Sequence, residues 1–157
     1  MFGTLDPVEI ETLLNRQLIG RIGCHTADKV YVVPISYAYD GEYIYGHAFE
    51  GLKIDMMRQN PSVCFEVDDT HNLATWQSVI CWGHFEELAQ GASREAAVHI
   101  LEKRVLPVLH SQTMRLESTW PFHSGHNEVI KGIIFRIKLG EKTGRFERAN
   151  DQFFFSS

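Results

Sequence analysis

Residues 29–53 decide the fold of this chain, and they read KVYVVPISYAYDGEYIYGHAFEGLK. Residues 30–39 are rich in β-branched and aromatic side chains, which predicts a strand. Asp40 and Gly41 predict a tight turn, because glycine adopts positive φ without strain and aspartate tolerates it better than most residues. Residues 42–48 predict the return strand, so the stretch predicts an antiparallel hairpin.

The same stretch ends in a candidate anion site. Gly51 and Leu52 open an apolar-periodic segment, residues 52–57, that predicts a helix. The first backbone N–H groups of a helix have no intrahelical partners, and the helix dipole favours an anion beside them. Lys53 adds a full positive charge, so this helix start suits a phosphate group.

Segments on both sides of this stretch add strands and two further helices. Asp6 and Pro7 predict a helix start, and Ser93 predicts a cap for a helix that begins at Arg94. The remaining predictions are strands at 18–24, 62–67, 74–88 with a bend at Gly83, 129–139 and 145–148, a polar connection at 68–72, a turn at 140–144 and a long loop at 111–128. Six or seven antiparallel strands without a βαβ rhythm predict a small closed or partly closed barrel, since closure removes exposed strand edges.

Composition limits the class of protein. The chain has 157 residues, which predicts a single domain, 1–157. Its formal net charge of −5 argues against a general nucleic-acid binder. Apolar runs are shorter than the ~20 residues that span a membrane, and the first residues lack the features of a signal peptide, so a cytoplasmic location is expected. Three widely spaced cysteines predict reduced thiols rather than disulfides.

Motifs for metal binding and nucleophilic catalysis are weak. His123 and His126 have a metal-like spacing and His110 lies upstream, but no cysteine pair or carboxylate pattern completes a site. The sequence has no Gly-x-Ser-x-Gly elbow and no phosphate-binding Gly-x-x-x-x-Gly-Lys-Ser/Thr loop. The conspicuous triplet Phe153–Phe155 is expected to dock on its own domain or on a partner subunit. No metal site is predicted.

Several motifs, in this order, resemble one family. They are Leu18-Ile-Gly-Arg-Ile-Gly-Cys24, Pro34-Ile-Ser-Tyr-Ala-Tyr39, Tyr45-Gly-His-Ala48, Gly51-Leu-Lys53 and Asn60-Pro-Ser-Val-Cys-Phe-Glu-Val67. Together they resemble the pyridoxamine 5′-phosphate oxidase-like FMN-binding split barrels, and most closely the branch that contains nitroimidazole-resistance flavoproteins. The strand at 76–88 and Thr143-Gly-Arg145 fit the same pattern.

The resemblance implies a mainly β protein, a six-stranded antiparallel FMN-binding split barrel with flanking helices. It implies a homodimer with one FMN in each of two clefts between the subunits. By position, Lys53 would bind the FMN phosphate and Ser78 would reach the flavin of the other subunit. The residues expected beside the isoalloxazine ring or the ribityl chain are Val33, Pro34, Ile35, Ser36, Gly46 and His47. His47 would also be the catalytic proton donor.

The implied function is an oxidoreductase that passes electrons from a reduced nicotinamide through FMN to a small, nitroaromatic-like acceptor. Two alternatives stay open. One is a flavin-binding or storage module without turnover, and the other is a barrel that binds haem or deazaflavin, with His110, His123 or His126 as a haem ligand. Vitamin B6 oxidation is not expected, because residues 145–157 lack the C-terminal basic pattern of authentic pyridoxamine phosphate oxidases.

Overall fold

Eight β-strands and three α-helices make up residues 1–109 and 132–149, the part of the chain that the computed structural model describes. The strands are β1 (Phe2–Thr4), β2 (Ile19–Thr26), β3 (Lys29–Ser36), β4 (Ala38–Tyr39), β5 (Tyr43–Ala48), β6 (Ser62–Asn72), β7 (Thr75–Glu87) and β8 (Ile133–Glu147). The helices are α1 (Pro7–Arg16), α2 (Leu52–Gln59) and α3 (Ala92–Leu109). All strand pairs are antiparallel, which confirms the predicted mainly β class.

The strands form one curved sheet that leaves a seam open. Their order is β3-β2-β6-β7-β8-β5-β4, and β1 adds to β8. The strands β3 and β5 approach each other without pairing. We call the gap between them the split, because it is where the barrel stays open.

Apolar side chains fill the barrel and the space beneath two helices. The main cluster includes the fully buried Phe65 and Phe135, and α1 adds Leu13 and Leu14 to it. A second, smaller cluster lies between α3 and the sheet, where Leu101 packs with other buried residues. Helix α2 also contributes buried side chains to the main cluster, so all three helices flank the sheet, as expected.

The start of α1 is as predicted. The Asp6 carboxylate accepts a hydrogen bond from the Glu9 backbone N–H at 2.8 Å, and the Glu9 carboxylate accepts one from the Asp6 backbone N–H at 3.0 Å. Pro7 occupies the first turn, where its missing N–H has no consequence. This reciprocal capping box explains why the helix begins at this point.

The predicted hairpin is correct at its turn and wrong in its first strand. Gly41 has φ of +98°, as a tight turn requires, but only Ala38 and Tyr39 pair with β5. Tyr37 interrupts the strand, since its N–H donates to the Leu18 carbonyl at 3.2 Å and its side chain is buried. As a result, β3 pairs with β2 rather than with β5.

Three other predictions need correction. Residues 68–72 are not a connection but the end of β6, where Asp68 and Asp69 form ion pairs with arginines. Residues 140–144 are not a turn but the middle of β8, and the strand count rises to eight. The helix α3 begins at Ala92, so Ser93 lies inside it rather than at its cap. The predicted bend at Gly83 is confirmed by a register shift there.

Some predictions fall outside the described residues. These are the loop at 111–128, the triplet Phe153–Phe155 and the three candidate haem ligands His110, His123 and His126. In the described part of the chain, no helix is long and apolar enough to cross a membrane.

Candidate functional site

One edge of β3 carries backbone groups that no described strand pairs with. The hydrogen bond from the Tyr37 N–H to the Leu18 carbonyl continues the β2–β3 register and fixes which residues bond to β2. Residues of an antiparallel pair alternate between bonding to the partner strand and pointing away from it. The odd-numbered residues of β3 therefore bond to β2. The even-numbered ones, including Val32, Pro34 and Ser36, direct their backbone groups to the other edge.

The same even-numbered residues are also the exposed ones. Pro34 and Ser36 are exposed, and Val32 is 61% exposed, whereas Ile35 is buried in the barrel core and Val33 packs against it. Of the four β3 residues predicted beside the flavin, Pro34 and Ser36 therefore present both their backbone groups and their side chains to a ligand. The sequence analysis did not predict Val32 as a site residue. It could have done so, because Val32 is two residues from Pro34 and therefore lies on the same face and the same edge of β3.

His47 lies across the split from this edge. The Leu139 N–H donates to the Glu42 carbonyl at 3.1 Å, so the even-numbered residues of β5 bond to β8. The backbone groups of His47 consequently point away from β8. Ala38 pairs with Tyr45, and continuing that register by two residues sets Ser36 opposite His47. The split therefore separates two residues that an unbroken hairpin would have paired.

The His47 side chain is held outside the barrel. It is half-buried, and its ring meets the exposed Phe49 ring edge-on at a centroid distance of 5.3 Å. Gly132 lies beside it, with φ of +103°, at the approach to β8. The Phe49 ring on one side and the Gly132 backbone on another thus position the imidazole near the split.

Gly46 has a different physical reason from the one that the sequence indicated. A Cβ atom added there would lie 2.4 Å from the Phe135 ring. The glycine therefore makes room for a core aromatic side chain rather than for the backbone approach of a ligand. Its predicted place beside a cofactor stays a prediction.

The start of α2 retains the features of an anion site. Gly51 is the N-cap, and because glycine has no side chain, no N-cap side chain accepts a hydrogen bond from the first N–H groups. Lys53 is half-buried, and within residues 1–109 and 132–149 it has no ion pair. The nearby Glu50 carboxylate is instead held by Arg58, which also pairs with Glu87, at distances of 2.8 and 2.9 Å. The charge of Lys53 is therefore available to a ligand.

Ser78 lies away from the other candidate residues. It is on the outer side of β7, and β6 and β2 separate that strand from β3. Its hydroxyl donates to Glu66 Oε1 at 3.2 Å, and Glu66 pairs with Arg21 at 3.1 Å. Arg21 also holds the pKa of Asp68 below its usual range by hydrogen bonding to that carboxylate. One copy of the chain therefore does not bring Ser78 to Lys53.

Exposed apolar side chains also lie on the outward side of the sheet, beyond the charged residues that surround Ser78. Outward-pointing residues of β2, β3 and β7 form what we call the outer face: Ile19, Val30, Val32, Ile80 and Trp82. Trp82 is 45% exposed. Large exposed apolar surfaces with polar surroundings commonly mark protein interfaces.

A family model and one sequence relative match this chain. The model, described as pyridoxamine 5′-phosphate oxidase, matches residues 6–145. An uncharacterized protein of Rhizobium meliloti (strain 1021) is 37% identical over 90 residues. That match covers 55% of this chain and 60% of the relative's length.

Solved structures share the whole fold. The crystal structure of a FAD-binding protein from Mesorhizobium loti has a TM-score of 0.70 and 28% identity, and the match covers 93% of this chain and 98% of that one. A candidate 5-nitroimidazole antibiotic resistance protein from Bacteroides thetaiotaomicron has a TM-score of 0.68 and 17% identity, with 93% and 87% covered. A flavocytochrome from Azotobacter vinelandii has a TM-score of 0.67 and 14% identity, with 94% and 71% covered.

Proposed function

Because this chain belongs to the pyridoxamine 5′-phosphate oxidase family, we propose that it is a flavoprotein that binds FMN at the split. The family resemblance and the split-barrel class predicted from the sequence are both confirmed. A bound flavin would supply the redox chemistry, and the chain would supply binding, orientation and charge.

The free edge of β3 is the observation that carries this proposal. It offers the N–H and C=O groups of Val32 and Ser36 and the C=O group of Pro34 to a ligand. The pyrimidine ring of a flavin has carbonyl oxygens on either side of an N–H group, and such a pattern is complementary to a strand edge. The edge of β3, which no described strand pairs with, is therefore suited to bind the flavin ring.

Lys53 and the start of α2 would hold the phosphate. An uncapped helix start favours an anion, and a lysine whose charge is not neutralised by a carboxylate adds to that preference. FMN ends in a phosphate monoester, which carries more charge at one position than the diester of FAD. FAD is the second candidate cofactor, because the Mesorhizobium loti protein is a FAD-binding protein.

The proposed activity is electron transfer from a reduced nicotinamide, through the flavin, to a small nitroaromatic-like acceptor. His47 is the candidate catalytic acid, since it is half-buried beside the split and imidazole is the commonest general acid in enzymes. The alternative without turnover is a flavin-binding or storage module. Substitution of haem or deazaflavin for FMN remains an alternative, with its proposed haem ligands outside the described residues. A cytoplasmic location, where reduced nicotinamides are plentiful, is part of the proposal.

A homodimer would complete the site. The outer face carries exposed apolar residues around Ile80 and Trp82, and burial of such a surface favours association. Ser78, on this same face, would then contact the flavin that the other subunit holds. Oligomerisation would thereby bring together residues that a single chain keeps apart.

Cofactor titration tests this proposal. Fluorescence titrations with FMN, FAD and riboflavin should show tightest binding of FMN, and absence of binding by all three would overturn the flavin proposal. Lys53→Ala should weaken FMN at least tenfold and riboflavin little, while Lys103→Ala, an exposed lysine on α3, is the matched control. Equal weakening of FMN and riboflavin would exclude the phosphate role of Lys53.

Anaerobic stopped-flow mixing with reduced nicotinamides separates the enzyme from the storage module. Rapid bleaching of the bound flavin supports an oxidoreductase. Bleaching no faster than that of free FMN supports storage.

A further inference from the structure

Arg58, in the last turn of α2, binds two carboxylates at once. Its Nη1 and Nη2 groups donate to the Glu50 carboxylate at 2.8 and 2.9 Å, and its Nε and Nη2 groups donate to the Glu87 carboxylate at 2.8 Å each. These hydrogen bonds hold the pKa of Glu87 below its usual range. Isolated surface ion pairs contribute little, but bidentate pairs in a network hold their geometry. One guanidinium therefore joins the loop before α2, the end of α2 and the end of β7.

The guanidinium of Arg58 has little capacity left for a ligand. Of its five N–H groups, one on Nε, two on Nη2 and one on Nη1 are used, which is four. A cation that has almost all of its donors engaged influences a nearby site through the carboxylates that it holds. Arg58 can therefore act on the start of α2 through Glu50.

Glu50 is the carboxylate best placed to compete with a phosphate at the start of α2. It directly precedes the N-cap Gly51, and a carboxylate near a helix N-terminus is favoured for the same reasons as a phosphate. Lys53 follows three residues later, and in the described part of the chain its charge has no carboxylate partner. Both oxygen atoms of Glu50 are bonded to Arg58, so the helix start and Lys53 are left to another anion.

The other acidic residue of the first turn is not in the same position. Asp55 is two residues from Lys53, and residues at that spacing lie on different faces of a helix. Glu50 is also exposed, so its side chain can change rotamer at little cost once its partner is removed. Only the bond to Arg58 thus keeps this carboxylate turned away from the anion site.

We propose that Arg58 is a positioning residue for the phosphate site and sets the preference for a phosphorylated flavin. This inference rests on the phosphate role proposed for Lys53. Without the guanidinium, the Glu50 carboxylate turns to Lys53 and to the first N–H groups of α2, and a phosphate must displace it. Riboflavin has no phosphate, so its binding does not depend on where Glu50 lies.

A double-mutant cycle on FMN and riboflavin affinity tests this role. Arg58→Met removes the charge but keeps an unbranched side chain with high helix propensity, and it should weaken FMN about tenfold and riboflavin less than about twofold. Adding Glu50→Gln removes the released carboxylate and should return FMN affinity to within about twofold of the wild-type value. Absence of this recovery would overturn the proposal, because Arg58 would then act through direct contact or through the fold.

Two single variants complete the cycle. With Arg58 in place Glu50 is already held away, so Glu50→Gln alone should change FMN affinity less than about threefold. A tenfold gain would overturn the proposal, and this measurement does not need the Arg58 variant to fold. Glu87→Gln is the matched control, because it breaks the link to β7 and keeps the bond between Arg58 and Glu50. It should leave the ratio of FMN to riboflavin affinity unchanged, and a fall as large as in Arg58→Met would assign the effect to the link instead.

Separate results refute the cofactor, the phosphate ligand and the role of Arg58. Failure of the wild type to bind FMN refutes the flavin proposal. Equal weakening of FMN and riboflavin in Lys53→Ala refutes the phosphate site. If both of those experiments agree with the proposed function and the cycle shows no recovery, only the role of Arg58 is refuted.

Discussion

A Cβ atom placed on Gly132 would lie 2.7 Å from His47 Nε2 and 2.9 Å from the Ala48 carbonyl oxygen. Gly132→Ala should therefore displace the imidazole as well as strain the backbone, whose φ is +103°. We expect a loss of about 1–3 kcal/mol in unfolding free energy. Chemical denaturation measures this loss, and NMR titration of the His47 ring should show a changed environment.

Gly41→Ala is the matched control for this prediction. Gly41 also has positive φ, at +98°, but an added Cβ there would meet nothing within 4 Å. It should lose only the backbone contribution, about 1 kcal/mol, and leave the His47 resonances unchanged. If both variants behave alike, the contact between Gly132 and His47 is unimportant.

Gly46→Ala separates a packing role from a ligand role. Because the added Cβ would lie 2.4 Å from the Phe135 ring, we expect a loss of about 1–3 kcal/mol in thermal or chemical unfolding without flavin. Adding Phe135→Leu should recover part of that loss, since the smaller side chain relieves the clash. Normal stability combined with weakened flavin binding would show that Gly46 serves the ligand instead.

The cluster of Tyr39, Glu11 and Lys142 predicts a loss of stability at alkaline pH. Burial raises the pKa of Tyr39 to about 12. Burial alone would lower the pKa of Lys142, but hydrogen bonds with Glu11 and Tyr39 outweigh it and raise that pKa above its ordinary value. Both groups hold their protons more tightly in the folded state than in the unfolded state. Stability is then fully present below about pH 10 and falls as the pH rises from there through the folded pKa values.

Tyr39→Phe tests this pH dependence. At pH 8 it should cost about 1 kcal/mol, because the phenol donates to Glu11 at 2.7 Å and accepts from Lys142 at 2.8 Å. Between about pH 10 and pH 12 the unfolding free energy of the variant should fall less steeply than that of the wild type. A series of urea titrations across this range measures both effects, and parallel curves would contradict the assignment.

A charge on the outer face should break the proposed dimer. Ile80→Glu places a carboxylate among the exposed apolar side chains, where burial of an unpaired charge opposes association. Sedimentation should show a monomer, and FMN affinity should fall at the same time because each proposed site includes residues of both subunits. Leu73→Glu is the control, since Leu73 is 96% exposed at the β6–β7 turn. A dimeric Ile80→Glu variant would place the interface elsewhere.

Local signals in the sequence were sufficient for the cap of α1, the turn at Gly41 and most strands. Asp6 and Gly41 show this clearly, because a capping side chain and a positive φ are determined by a residue and its immediate neighbours. The start of α2 was predicted from the apolar period of residues 52–57, which is also a local signal. The family motifs were equally local, which is why the split barrel could be expected from short ordered segments.

Errors arose where long-range contacts outweigh local preference. Asp68 and Asp69 are polar enough to indicate a connection, yet ion pairs with Arg21 and Arg16 keep them in β6. Gly144 indicated a turn, but it lies within β8, where an added Cβ would meet Leu5 at 2.7 Å. No residue close to these positions in the sequence indicates such long-range contacts, so sequence patterns alone could not reveal them.

The candidate site also combines features that follow from local sequence with features that depend on long-range contacts. The motifs predict Ser36 and His47 beside a flavin, which stays a prediction, whereas the opposition of the two residues across the split depends on how Tyr37 interrupts the hairpin. Tyr37 does so through a hydroxyl that donates to the Leu14 carbonyl of α1 at 2.7 Å.

Pro34 also bears on aggregation. A strand edge with a full row of N–H groups and exposed valines is a template onto which another chain can add. Pro34 interrupts that row, and it does so at a position that points away from β2, so the β2–β3 ladder loses no hydrogen bond. The edge of β3 therefore carries a built-in block against edge-to-edge assembly whenever no ligand covers it.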